Sequence, residues 1–202
     1  MLGHANNDAY RYETRYTRIM YLTDDTLSDL DATCSFIDEL LELNSRSNKL
    51  PIIISISSGG GSLSCMSSII DTMSAIGAPV YTQAVGIVAS AATTILSAGA
   101  RGHRYALPTA KIMIHEPTLT GNLSVTAKQL DIERRVLEME RDDLLNFLIN
   151  NTGKTRKQIL ADIKHDRWFS AQQAQEYGLI DAIGMLPEMA QLQRPTIPGD
   201  EV

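Results

Sequence analysis

Cysteine is scarce in this 202-residue chain, which has only Cys34 and Cys65. They form no CxxC pair and fall inside helical apolar patterns, so a disulfide framework is excluded and both are expected as small core residues in a reducing compartment. Long apolar runs are also missing. No stretch reaches the ~18 residues of a membrane span, and the start, MLGHANNDAYRYETRYTR, has no apolar leader region. Nor is there a surplus of positive charge: 18 Lys and Arg against 24 Asp and Glu give a net charge of -6, which argues against nucleic acid or an anionic membrane as partner. The histidines, His4, His103, His115 and His165, have no metal-ligand spacing among themselves or with the cysteines, so no metal is expected. What is present is a composition 44% hydrophobic and 21% charged, that of a globular chain. One cytoplasmic domain over residues 1–202 is expected, with a polar segment at 1–16 and a flexible tail at 187–202.

Short strands and amphipathic helices alternate along the chain. Arg18 to Leu22 reads as a strand, and Thr23-Asp24-Asp25-Thr26 supplies capping side chains for a helix. That helix carries Leu27, Leu30, Cys34, Ile37, Leu40 and Leu41 as one buried stripe. Ile52-Ile53-Ile54-Ser55-Ile56 reads as a strand buried on both faces, ended by Gly59-Gly60-Gly61. A helix from Leu63 to Ile76 leads through Pro79 to a third strand at Val80 to Val85, a pattern that predicts an α/β fold with parallel pairing. Beyond it come a short helix from Ser90, strands near Arg104 to Leu107 and Lys111 to Ile114, and a long helix from about Ser124 to Asn150. Two shorter helices open on capping boxes, Thr155 with Gln158 and Ser170 with Gln173.

Two nucleotide-binding patterns fail on spacing. The third glycine of a GxGxxG loop begun at Gly59 would fall on Ser64, and the first glycine of a P-loop ending in Gly153-Lys154-Thr155 would fall on Leu148. Glycines at a strand end have another use, since they let backbone approach a ligand and aim N–H groups at it. Ser90 follows a strand, opens a helix and has only alanines beside it. A serine nucleophile needs a base, for which His115 at a strand end is placed, and Asp166, before a capped helix, is placed to orient the imidazole. Each has an ordinary explanation when taken singly: a helix cap, a loop histidine, a solvated turn.

Taken together, Ser57-Ser58-Gly59-Gly60-Gly61-Ser62, Ala89-Ser90, Met113-Ile114-His115-Glu116-Pro117, Asp166-Arg167 with Ser170-Ala171, and Glu176-Tyr177-Gly178-Leu179-Ile180-Asp181 resemble the motifs of the Clp protease proteolytic subunit (ClpP) family. The resemblance runs from about Tyr16 to Ile183. It implies a ClpP/crotonase-like α/β spiral of β-β-α units with a long handle helix in the region 118–150. It implies Ser90 as nucleophile, His115 as general base and Asp166 as orienting carboxylate, with Gly60 and Ala91 N–H groups as oxyanion hole and Gly59 and Gly61 toward substrate. Also implied are polypeptide substrates, no cofactor, stacked heptameric rings (a tetradecamer, of one chain or shared with a paralogue) and an AAA+ unfoldase. The other readings are a weakly active or inactive structural subunit and an acyl-CoA enzyme of the crotonase-like fold. Gly59 stands where the family usually has proline, Ala92 where it has glycine, Ile53 and Ser55 where its docking groove is commonly aromatic, and Lys164-His165 where an acidic-Arg pair joins the rings.

Overall fold

A computed structural model describes residues 17–118 and 126–190. The N-terminal segment 1–16, residues 119–125 of the expected handle region and the tail beyond residue 190 lie outside them. In chain order the elements are β1 (Ile19–Leu22), α1 (Asp24–Ser28), α2 (Leu30–Arg46), β2 (Ile52–Ser58), α3 (Leu63–Ala75), β3 (Val80–Ala89), α4 (Ala91–Ser97), β4 (Arg104–Ala106) and β5 (Lys111–Ile114). They continue with α5 (Ala127–Thr152), α6 (Arg156–Asp162), β6 (Arg167–Ser170), α7 (Ala171–Tyr177), β7 (Ala182–Ile183) and α8 (Pro187–Ala190). This is the α/β architecture expected, long helix included.

The sheet is parallel along β1-β2-β3-β4-β7, as helical crossovers between successive strands require. Strand β3 is longer than the sequence predicts because it serves two neighbours. Thr82–Ala84 pair with β4, while Ile87–Ala89 pair with β5. On the far side of β5 lies β6, the one antiparallel strand among the described residues. Sequence reading missed β6, a four-residue strand in which Arg167 and Trp168 are exposed and only Phe169 is buried, too little to show alternation.

The helix expected after Thr23 is two helices. Asp29 is extended and caps the second through Ala32 N–H (2.8 Å), which resets the helical phase. Thr33 thereby takes a core position, its hydroxyl donating to Thr26 O at 2.6 Å, and Phe36, Leu40 and Leu43 continue the buried stripe. Leu30, Cys34 and Leu41 turn outward, so the expectation of a buried Cys34 is corrected; Cys65 is buried on α3. Both capping boxes form as the sequence predicts.

Residues 184–186, just before the tail expected from residue 187, are tied to β3. Buried Gln83 grips them, its amide donating to Gly184 O (3.1 Å) and its Oε1 accepting from Leu186 N–H (2.8 Å). Leu186 is thereby pressed into a small apolar cluster with Ile19 and Ile53, packed by Tyr81, Tyr105 and Met189. Among the described residues no helix is long and apolar enough to cross a membrane.

Candidate active site

Strand β3 runs straight into Ser90, where the backbone takes φ 56° and ψ -126° before α4 begins. Residues with a side chain seldom sit at positive φ, at a cost of ~1–3 kcal/mol, and persist there only when the surroundings impose it. The imposing groups are plain. Ser90 N–H donates to Met113 O at 2.9 Å, and the buried Thr93 hydroxyl reaches both Val88 O (3.0 Å) and Met113 O (2.7 Å), so the turn is tied to β5. Thr93 escaped the sequence reading, since a threonine in an apolar helix gives no sign of what its hydroxyl meets. Ser90 occupies the N-cap position of α4, yet its side chain makes no capping bond. Its Oγ lies 2.8 Å from His115 Nε2 instead.

The sheet register brings the third group in. In the antiparallel β5–β6 pair Ile114 faces Arg167, so one step further along each strand His115 and Asp166 come side by side. The Asp166 Oδ1 to His115 Nδ1 distance is 3.4 Å, longer than a good hydrogen bond. The carboxylate is 64% exposed against 25% for the imidazole, so this arm is slack while the Ser90 arm is tight. The Asp166 loop is itself held: Glu116 N–H donates to Ile163 O at 2.8 Å, and Asp162 pairs with Arg167 and accepts from the Tyr177 hydroxyl at 2.7 Å. Burial pushes the Tyr177 phenol above its ordinary range, and the nearby Arg167 guanidinium opposes that. The phenol is therefore a donor to Asp162 at neutral pH.

The glycine loop packs directly on Ser90. Gly60 has φ +105°, and a Cβ there would stand 2.7 Å from Ser90 Cβ and 2.9 Å from Ala89 O, so only glycine permits this approach. Gly61 is pressed against α1, where a Cβ would lie 2.3 Å from Leu27 O. Two of the N–H groups named for the site are already engaged. Gly60 N–H donates to Ser58 Oγ (3.1 Å) and Gly59 N–H to Asp24 Oδ1 (2.7 Å), so Gly60 would have to break a bond to serve an oxyanion and Gly59 to serve a substrate. Gly61 and Ala91 N–H have no hydrogen-bond partner among the described residues. The sequence offers Asp24 as a capping side chain and Ser58 as part of the glycine motif, with no sign that the two meet.

A serine at a strained strand–helix turn, an imidazole on its hydroxyl and a glycine loop against it are components of an acyl-transfer site. The family model described as Clp protease matches residues 4–186. The chain belongs to the Clp protease family. It is 37% identical over 183 residues to ATP-dependent Clp protease proteolytic subunit 1 of Tropheryma whipplei (strain Twist), covering 90% of this chain and 86% of that one. To the proteolytic subunit of Dehalococcoides mccartyi (strain CBDB1) it is 41% identical over 152 residues, 75% of each chain. To that of Streptococcus mutans it is 39% identical over 156 residues, covering 74% of this chain and 76% of that one. As a Clp protease subunit the chain is a serine-type peptidase, and its fold and long helix accord with that membership.

Proposed function

We propose that this Clp protease subunit is an active endopeptidase whose nucleophile is Ser90, with His115 as general base and Asp166 as the carboxylate that orients it. The observation that carries the reading is the 2.8 Å contact between Ser90 Oγ and His115 Nε2 at a serine whose own helix does not use its hydroxyl. His115 Nε2 takes the hydroxyl proton as Oγ attacks the peptide carbonyl carbon. It returns that proton to the leaving amine, and water then hydrolyses the acyl-enzyme by the same exchange. The oxyanion is held by the two N–H groups without protein partners, Ala91 at the start of α4 and Gly61 in the loop. Gly60, bare of a side chain, lets the loop lie close enough.

The substrates in this reading are unfolded polypeptides and short peptides, taken inside a chamber of stacked heptameric rings and fed by an ATP-driven unfoldase. An exposed apolar ridge on α5, formed by Ile132, Val136 and Met139, suits contact between rings. The docking of the unfoldase would differ from the family's usual pattern, because Ile53 and Ser55 are both buried and Leu186 packs against Ile53.

One observation favours the weakly active structural subunit instead, namely the slack and exposed Asp166. A fluorophosphonate probe separates the two, since its phosphorus forms a bond to Ser90 Oγ and expels fluoride only where the hydroxyl is activated. Labelling at Ser90 with cleavage of a fluorogenic peptide, both abolished in Ser90→Ala, is the expected result. An unlabelled serine in an assembled particle would overturn it.

A further inference from the structure

The glycine loop beside Ser90 is held by a helix far from it in sequence, and the side chain that does most of the holding is Asp24. Its carboxylate lies in the first turn of α1, where an acid ordinarily does no more than complement the helix dipole. Here one oxygen, Oδ1, accepts two bonds from residues 34 and 35 positions away, from the Ser58 hydroxyl at 2.8 Å and the Gly59 N–H at 2.7 Å. Ser58 passes the constraint on, because its Oγ accepts from Gly60 N–H at 3.1 Å. The other end of α1 completes the clasp: Leu27 O accepts from Ser62 N–H at 2.7 Å and abuts Gly61. The loop is thus gripped at Ser58, Gly59 and Ser62, on both sides of the glycine that touches Ser90.

Gly59 does not need to be glycine for its conformation. Its φ is outside the left-handed region, and a Cβ on it would meet Asp24 Oδ1 at an ordinary 3.7 Å. What the position contributes is an N–H, which a proline would lack. A ring would fix the backbone covalently, whereas this chain fixes it with a carboxylate.

We propose that Asp24 is a positioning residue for the peptidase reaction, its Oδ1 holding the Ser58-Gly59-Gly60 backbone so that the next N–H along the loop, that of Gly61, faces the carbonyl that Ser90 attacks. The proposal rests on the peptidase reading above. Asp24 bonds Ser58 and Gly59 and not Ser90, so its removal is expected to act on transition-state stabilisation and to leave assembly intact.

The test compares the wild-type chain with Asp24→Ala, Asp24→Asn and the double variant Asp24→Ala/Gly59→Pro. Native mass, kcat and KM on a fluorogenic peptide, and the rate of fluorophosphonate labelling at Ser90 are read for each. In Asp24→Ala, kcat and labelling rate should fall ~10–100-fold, as for a catalytic group misplaced by about an ångström, with KM changed less than threefold. Asp24→Asn keeps an oxygen acceptor and should retain most of kcat. The double variant should recover most of the loss, the ring replacing the bond. Wild-type kcat in an assembled Asp24→Ala particle overturns the proposal, and so does a double variant no better than the single one. If Asp24→Ala fails to assemble, the double variant decides: recovered activity supports the clasp, and loss overturns it. A wild-type chain inert to both peptide and probe removes the peptidase reading and this proposal with it, an outcome distinct from an active wild type that ignores Asp24.

Discussion

Ser90 holds a backbone conformation that glycine adopts without strain and serine does not. The strain places Oγ out of α4 and against His115, so the site draws on stability stored elsewhere, in the Thr93 and Met113 bonds that enforce the turn. Replacing Ser90 separates chemistry from strain. Ser90→Ala removes the hydroxyl and keeps the unfavourable φ, whereas Ser90→Gly removes both. Relief of ~1–2 kcal/mol at such a φ outweighs the ~0.4–1 kcal/mol by which glycine loosens the unfolded chain. Ser90→Gly is therefore expected to be about 1 kcal/mol more stable than Ser90→Ala, though equally inactive. Denaturant or calorimetric unfolding of the two checks this, and a less stable glycine variant would refute it.

At the scale of elements, one guanidinium joins the ends of three helices. Arg104, at the head of β4, is 4% exposed and donates to Ser97 O, Asn151 O and Gly178 O, carbonyls at the C-terminal ends of α4, α5 and α7. Those ends carry the negative poles of their helices, so a cation among them is favoured. Asp181 neutralises it at 2.5 Å and also accepts from Gly102 N–H. Burial alone would raise the Asp181 carboxyl, but its Arg104 bonds, the Arg104 charge and the backbone donors together hold it below its ordinary value. A carboxyl lowered on folding gives stability that is complete above about pH 4 and is lost as pH falls through and below that range. Asp181→Asn should flatten that acid limb and cost roughly 3 kcal/mol at neutral pH, the lower end for an uncompensated buried partner. Unfolding measured from pH 7 to pH 3 tests both. Much at this scale was legible in the sequence, because capping boxes, β-branched runs and the 3.6-residue period are local. What was not legible depends on distant partners. Asp29 restarts a helix inside a continuous periodic pattern, β6 exists through pairing with β5, and the Asp24 clasp joins residues more than thirty positions apart. Motifs point to Ser90, His115 and Asp166 as candidates, but the 3.4 Å gap at Asp166 depends on how β5 and β6 pair.

For the whole molecule, the proposed ring contact falls on α5. Its C-terminal portion is anchored in the core by Leu144, Leu145 and Leu148, while Ile132, Val136 and Met139 form an exposed apolar face at i, i+4 and i+7. Buried between rings, that face would be lost to water. Val136→Glu with Met139→Glu should leave the subunit's own stability within ~0.5 kcal/mol, as surface substitutions do. It should shift the native mass to a smaller assembly, whereas an unchanged particle mass would place the ring contact elsewhere. The same helix sets a practical floor for assays. In that arrangement a subunit diluted until it parts from its copies would bare a greasy ledge, and adsorption to vessel walls would drain the sample before any fault in the serine showed.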